Sequence, residues 1–154
     1  MTATPTGSPP AGSVGGRVIL ERRASNAGAV VEVAGLSVTT EAGGDYLITG
    51  VPAGMQAITV RRPGYLRTWR LVSVSAGQVT ALPDVTLLGG DVNGDDAIGQ
   101  YDAMSMGVAW NTTPGAANWN GNADITADGA INVLDLVAVQ YNWGRQAPGP
   151  WPGP

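Results

Sequence analysis

An internal repeat with a shift of 33 residues constrains this chain more than any other feature. The segment DVNGDDAIGQYD at 91–102 superposes on DITADGAINVLD at 124–135, with aspartate at positions 1, 5 and 12 and isoleucine at position 8 of both. Beyond these segments, named loop 1 and loop 2, the match continues: Met104, Met106, Val108 and Trp110 fall on Val137, Val139, Tyr141 and Trp143. The repeat predicts two copies of one unit, a loop followed by a short apolar helix.

The spacing of polar residues in each loop is typical of calcium binding. Positions 1, 3, 5, 7, 9 and 12 supply the oxygen ligands when one turn of chain surrounds the ion. A carboxylate at position 12 also suits the first turn of the helix that follows. Ordinary polar turns would explain one such loop, but two in the same register argue against that alternative. The isoleucines at position 8, Ile98 and Ile131, predict a short β contact between the two loops.

The composition removes most catalytic chemistry. The chain has no Cys, His or Lys, so all eight positive charges are arginines. Thiol nucleophiles, histidine bases, Schiff-base lysines and Cys/His zinc sites are therefore excluded. Oxygen ligands remain, and these suit hard cations such as calcium. Paired carboxylates could in principle serve a glycosidase, but these acids lie in metal-loop register, so we expect no catalytic residue and no enzyme.

The charges divide the chain into two parts. Residues 1–88 hold seven arginines against five acids, whereas residues 89–154 hold one arginine against seven aspartates. We therefore expect a linker at 1–13, one domain at 14–88, a second at 89–147 and a Pro/Gly/Trp tail at 148–154. The short junction suggests that the domains touch. No apolar run approaches the length of a membrane span, so we expect no membrane partner. We also expect no nucleic-acid partner and a monomer when unbound.

The first domain alternates like β structure. Short β-branched runs are separated by Gly, Pro, Asn and Asp turns, which predicts an all-β, seven-stranded sandwich. The predicted strands are Arg17–Leu20, Ala29–Val33, Leu36–Thr40, Tyr46–Thr49, Ala57–Val60, Trp69–Val74 and Asp84–Leu87.

Several motifs of this domain, among them GAVV at 28–31, GDY at 44–46 and GVPAG at 50–54, resemble the carboxypeptidase regulatory-like domain over residues 14–88. The resemblance implies a transthyretin-type sandwich with an accessory role. Trp69 is expected in the core or at the domain junction, with sugar stacking as the alternative. The arginines at 61, 62, 67 and 70 are expected to be solvated, with a basic face for an acidic partner as the alternative.

The second domain, with GDVNGD at 90–95 and DGAINVLDL at 128–136, resembles a type I dockerin over residues 89–145. The resemblance implies a small, all-α, EF-hand-like module with two calcium ions, often with a helix between the repeats. The ligands carried over to loop 1 are Asp91, Asn93, Asp95, the carbonyl of Ala97, and Asp102. Those carried over to loop 2 are Asp124, Thr126, Asp128, the carbonyl of Ala130, Asn132 through a water, and Asp135.

Three positions depart from the family pattern. Asp96 replaces the usual glycine at position 6, where the backbone needs a positive φ, which Asp tolerates at modest cost. Gly99 at position 9 has no side chain to hold a water. Thr126 at position 3 offers a neutral hydroxyl, so we rank loop 2 as the weaker site.

In dockerins, loop positions 10 and 11 face cohesin, the protein partner that the resemblance implies. Here they are Gln100 and Tyr101 in repeat 1, and Val133 and Leu134 in repeat 2. Because these pairs differ, we expect one binding mode, through repeat 2, with Val133, Leu134, Val137 and Tyr141 as anchors; burial of those residues in the core is the alternative. The sandwich, the tail or a separate protein could cover the surplus apolar surface of both helices.

The resemblances together predict a non-catalytic, calcium-dependent docking segment. It would attach a secreted or cell-surface protein, such as a polysaccharide-degrading one, to a cohesin, with the sandwich as spacer and stabiliser. The alternative is a calcium-rigidified structural stalk of an extracellular protein whose apolar helices pack within the same chain. The tail could fold back, with Trp151 or a proline near the start of the dockerin module, or it could be frayed.

Overall fold

The computed structural model describes residues 10–152. Eight strands come first along the chain, and two helices follow. The strands are β1 (Ala11–Leu20), β2 (Val30–Val33), β3 (Leu36–Thr39), β4 (Asp45–Pro52), β5 (Gly54–Arg62), β6 (Tyr65–Val74), β7 (Val79–Ala81) and β8 (Val85–Leu87). The helices are α1 (Gln100–Val108) and α2 (Val133–Tyr141). A β domain followed by two helices is therefore confirmed.

The strands form two four-stranded sheets. In one, β1 pairs with β4 on one edge and with β7 and then β8 on the other; the second has the order β3-β2-β5-β6. Side chains alternate between buried and exposed along β4 and most of β6, as expected when one face of each sheet covers the core. Val14, Val31 and Leu66 are among the fully buried residues of that core.

The structure has one strand more than the sequence predicts, β7, and β1 begins earlier than predicted, at Ala11. Its first residues, Ala11 to Ser13, were expected in a linker, but they pair with β4, and Ser13 pairs with β7. Glycine makes this pairing possible, because a Cβ on Gly12 would lie 2.9 Å from the carbonyl oxygen of Gln78. A Gly-rich strand has no side-chain alternation, so the pattern that reveals the other strands is missing here.

The two repeats exchange backbone contacts in a reciprocal way. The predicted pairing of Ile98 with Ile131 is wrong. Each isoleucine pairs instead with the segment that follows the helix of the other repeat. Ile98 N donates to the carbonyl of Arg145 at 2.8 Å, and Ile131 N donates to the carbonyl of Thr112 at 3.0 Å. Since Thr112 and Arg145 are 33 residues apart, the contacts follow the repeat. The segment between the helices, 109–132, forms turns and bends rather than the linking helix often found in dockerins.

A short junction joins the β domain to the helical one. Leu66 N donates to the carbonyl of Leu88, and Gly90 N to that of Gly64, both at 2.9 Å. Glu21 accepts hydrogen bonds through one carboxylate oxygen from Gly89 N at 3.1 Å and from Asn142 Nδ2 at 2.6 Å. The buried Tyr65 and Ile125 side chains lie at this junction and belong to one hydrophobic core that spans both domains.

The described part of the tail packs on the β domain. Gly149 N donates to the carbonyl of Arg67 at 3.0 Å, and Thr68 Oγ1 donates back to the carbonyl of Gly149 at 2.7 Å. Trp151 donates from Nε1 to the carbonyl of Pro83 at 3.2 Å, and Arg70 lies over its ring. The tail therefore folds back along the β6 edge, with the Trp151 side chain against Pro83. Residues 153–154 of the predicted tail and 1–9 of the predicted linker lie outside the described residues.

Candidate calcium loops and docking surface

The carboxylates at position 12 tie each loop to its helix. Asp102 and Asp135 are fully buried. Asp102 Oδ1 accepts from the N–H groups of Val92 and Asn93, at 2.7 and 3.1 Å, and its Oδ2 accepts from Gly99 N at 2.8 Å. These bonds hold the two ends of the loop together while placing a negative charge in the first turn of α1.

Asp135 makes the corresponding bonds in loop 2. Its Oδ1 accepts from both the N–H and the hydroxyl of Thr126, each at 3.0 Å, and its Oδ2 accepts from Asn132 N at 3.0 Å. The Thr126 hydroxyl, predicted as a neutral ligand, thus also orients Asp135. Asn132, predicted to hold a water, caps α2 by accepting from Leu134 N at 2.8 Å.

The aspartates at position 1 differ between the loops. In loop 1, Asp91 accepts from three backbone N–H groups, those of Gly94, Asp95 and Asp96, at 2.9 to 3.2 Å. Burial, and then the charge of Asp102, raise the pKa of Asp91 to about 6. In loop 2, Asp124 accepts from Gly129 N at 3.2 Å through Oδ2, whereas its Oδ1 is buried without a hydrogen-bond partner in the described residues.

Loop 2 brings three carboxylates together. Ligand oxygens of Asp124, Asp128 and Asp135 all lie within 4.8 Å of one another. A buried oxygen without a donor beside two further carboxylates is costly unless a cation completes the site. The donor set is all oxygen, which fits calcium. The geometry of loop 2 therefore fits the ion that its spacing predicts.

Loop 1 is arranged less tightly. The exposed side chains of Asn93 and Asp95 bond to each other, from Asn93 Nδ2 to Asp95 Oδ2 at 2.9 Å. No cluster of three carboxylates comparable to that of loop 2 occurs here among residues 10–152. Ala97, whose carbonyl is the predicted ligand at position 7, forms a β bridge with Gln146. The chain that follows α2 therefore holds position 7 in place.

Both loops need left-handed backbone at positions 4 and 6. Asp96 has φ 67° at position 6, as predicted, and Gly129 occupies the equivalent position with φ 84°. At position 4, Gly94 has φ 75° and Ala127 has φ 60°. The strain at Ala127 was not predicted; the signal was available, because the repeat aligns this alanine with a glycine.

The predicted docking residues lie on the surface. Val133, Leu134, Val137 and Tyr141 expose 58, 55, 38 and 74% of their surface, and Tyr101 exposes 59%; Gln100 is also exposed. The buried side of α2, Ala138 and Val139, faces the core together with Met106 of α1. Within residues 10–152, neither the β domain nor the tail covers the outer helix faces, apart from the guanidinium of Arg22, which lies 5.6 Å from the Tyr141 ring centre. Exposure of these residues argues against their burial in the core.

Two expectations for the β domain were wrong. Trp69 is 49% exposed on the outer side of β6 and lies neither in the core nor at the junction. Three of the four arginines expected to be solvated form specific contacts: Arg67 Nε lies 2.8 Å from Asp96 Oδ1, Arg70 donates to the carbonyl of Pro152 at 2.8 Å, and Arg62 donates to the carbonyl of Ala27 at 3.3 Å. The outer face of a strand at a sheet edge carries no sequence signal that separates a contact from solvent.

Comparison with known proteins identifies both domains. A family model for the carboxypeptidase regulatory-like domain matches residues 13–88, and one for the type I dockerin domain matches residues 89–141. The chain is a carboxypeptidase regulatory-like domain followed by a type I dockerin. Dockerins are calcium-binding, non-catalytic docking modules, so the family agrees with the composition and the carboxylate cluster of loop 2.

Curated relatives belong to cellulosomal scaffolds. Cellulosomal-scaffolding proteins B and A of Acetivibrio thermocellus are each 33% identical over 125 residues, which is 77% of this chain. The aligned region is 16% of the first protein and 7% of the second, so the chain corresponds to a small part of either.

Solved structures share the arrangement of both domains. A C-terminal-interface mutant of the type II cohesin–X–dockerin complex of Acetivibrio cellulolyticus matches with 27% identity and a TM-score of 0.76, covering 88% of this chain and 97% of the other. The N-terminal-interface mutant of that complex matches with 25% identity, a TM-score of 0.73 and the same coverage. Since coverage this high spans sandwich and dockerin together, their relative placement is similar too.

Among the described residues, no helix is long and apolar enough to cross a membrane.

Proposed function

We propose that this chain is a non-catalytic, calcium-dependent docking segment that attaches a secreted or cell-surface protein to a cohesin. The observation that carries the proposal is the outer face of α2, where Val133, Leu134, Val137 and Tyr141 are exposed although all four are apolar or aromatic. Such a surface on a small domain favours a protein partner. The cohesin-bound relatives with the same two-domain arrangement support cohesin as that partner.

Calcium organises this surface in the proposal. Each loop would hold one ion: Asp91, Asn93, Asp95, the Ala97 carbonyl and Asp102 in loop 1, and Asp124, Thr126, Asp128, the Ala130 carbonyl and Asp135 in loop 2, with Asn132 adjoining. The ion supplies the positive charge that lets these acids converge. Because Asp102 and Asp135 lie in the first turns of α1 and α2, closing the loops fixes both helices.

The type of cohesin is a separate question. The family model describes a type I dockerin, whereas the matching complexes contain a type II cohesin. We propose a type II cohesin, because the structural match includes the sandwich as well as the dockerin, and the family model for the dockerin covers only the latter. The sandwich would serve as spacer and stabiliser, and the unbound chain would be a monomer.

Isothermal titration of the protein with type I and type II cohesins, in calcium and in chelator, tests this proposal. Leu134→Asp should abolish binding, and Tyr101→Asp is its matched control, since the two occupy position 11 of repeats 2 and 1. Tyr141→Ala and Val108→Ala form a second matched pair. Weaker binding only in the repeat 2 variants is the expected result.

The structural stalk remains the second candidate, and Arg22 over the Tyr141 ring is the one observation that favours it. It predicts that calcium raises the melting temperature while no cohesin binds in either buffer. The docking proposal fails if that combination is observed.

A further inference from the structure

We propose that two arginines of the sandwich, Arg23 and Arg67, position the calcium loops and set the affinity of one loop each. This inference rests on the proposed calcium binding. It gives the sandwich a role in metal binding that is separate from spacing. Arg23 lies in the turn after β1 and Arg67 lies in β6, and each contacts a different loop.

Arg23 holds the entrance of loop 2. Its Nη2 donates to the carbonyl of Asp124 at 2.7 Å, and its Nε donates to the carbonyl of Ile125 at 2.8 Å. Tyr65, whose ring lies under the Arg23 guanidinium, donates its hydroxyl to the same Ile125 carbonyl at 2.9 Å. A planar guanidinium that donates hydrogen bonds to two successive carbonyls fixes the orientation of the peptide plane between them.

That peptide plane determines where the first ligand points. Asp124 carries the buried, unpartnered Oδ1, and one of its carboxylate oxygens lies within the cluster formed with Asp128 and Asp135. With the backbone of Asp124 fixed, the carboxylate is aimed before an ion arrives, so less conformational entropy is lost on binding. Arg23 therefore acts through Asp124 and is a positioning residue, not a ligand.

Arg67 holds loop 1 at a different point. Its Nε lies 2.8 Å from Asp96 Oδ1, and Asp96 stands with φ 67° where dockerins usually have glycine. On the other side, Ala147 N donates to the carbonyl of Asp96 at 2.9 Å. The ion pair and this hydrogen bond keep Asp96 in a conformation that costs a non-glycine residue free energy. This contact gives a physical reason for the aspartate at position 6.

The charge of each arginine and its positioning role have opposite effects on calcium affinity. The sign of the change in affinity when an arginine is replaced therefore shows which effect dominates. A guanidinium near a calcium site repels the ion, so removing an arginine should tighten binding if only charge matters. If positioning dominates, removing it should weaken binding. Arg23→Lys keeps the charge but loses the two-pronged contact, and so separates the two effects.

Calcium titrations of the full chain, followed by backbone amide NMR, report each loop separately through Gly94 in loop 1 and Gly129 in loop 2. We expect Arg23→Gln and Arg23→Lys to weaken loop 2 roughly 10-fold, about 1.4 kcal/mol, with loop 1 changed less than about twofold. Arg67→Gln should weaken loop 1 and spare loop 2. Arg17→Gln is the control, because Arg17 also donates to a carbonyl, that of Gly43 at 2.9 Å, but within the sandwich.

A rescue variant checks the role of Arg67. Once Asp96 is replaced by glycine, Arg67→Gln should no longer affect loop 1. Unchanged or tighter calcium binding in both Arg23 variants, or equal weakening of both loops by either arginine, would overturn the inference. Wild-type protein that binds no calcium would instead overturn the proposed function, and the inference with it.

Discussion

Loops 1 and 2 share a register but reach different arrangements. Both bury the carboxylate at position 12 and bond it to the N–H groups of positions 3 and 9. In loop 2 three carboxylates converge and Asp124 keeps one oxygen unpartnered, whereas in loop 1 Asp91 uses its oxygens on three backbone donors. The sequence ranks loop 2 as weaker because of Thr126. The geometry instead favours loop 2 as the stronger calcium site. Ligand identity and ligand placement therefore rank the two sites in opposite orders.

The largest effects are expected from the buried carboxylates at position 12. Asp135→Ala leaves the N–H groups of Thr126 and Asn132 without an acceptor, which should cost roughly 2 to 5 kcal/mol of the free energy of unfolding. Asp102→Ala should do the same in loop 1. Each variant should retain one calcium in native mass spectrometry. Retention of two ions by either variant would contradict its ligand assignment.

A smaller effect is expected from pH in the calcium-free protein. The pKa of Asp91 rises from 3.8 to about 6 through burial and the Asp102 charge. Since the folded-state pKa lies above the unfolded value, the ionised form destabilises the fold above pH 6, and stability is regained as the pH falls from about 7 towards 4. We expect about 1 to 2 kcal/mol after allowing for solvent screening.

Urea unfolding in chelator at both ends of that pH range measures this effect. Asp91→Asn has no carboxyl group to titrate and should lose the gain on acidification. An equal gain in Asp91→Asn would show that other groups are responsible.

The smallest effects concern position 4. Ala127→Gly should stabilise the protein by about 0.5 to 1 kcal/mol, because relief of left-handed strain exceeds the entropy cost of glycine. The matched exchange in loop 1, Gly94→Ala, should destabilise it by about 1 kcal/mol. A Cβ on Gly94 meets no atom within 4 Å, so strain alone is tested. Calorimetric melting temperatures that shift in the same direction for both variants would contradict the comparison.

The sequence predicts several features that depend on local spacing. The loop boundaries, the order of the two domains and the positive φ of Asp96 all follow from residues close together in the chain. The repeat strengthens these predictions, because each loop position occurs in two aligned copies.

Long-range contacts are the part that the sequence did not reveal. Arg23 contacts Asp124 across 101 residues, and no periodicity marks one arginine among seven in the sandwich. The first residues of β1 were missed for another reason: glycine allows close pairing but leaves no alternation of side chains. The reciprocal contacts of Ile98 and Ile131 follow the repeat symmetry, yet the buried isoleucines alone suit either pairing.

Titration of a type II cohesin into the full chain, in calcium and again in chelator, shows whether calcium controls docking. We expect a one-to-one complex with calcium and a large loss of affinity without it, because empty loops no longer fix α2, the helix that carries Leu134 and Tyr141. Equal affinity in both buffers would contradict it.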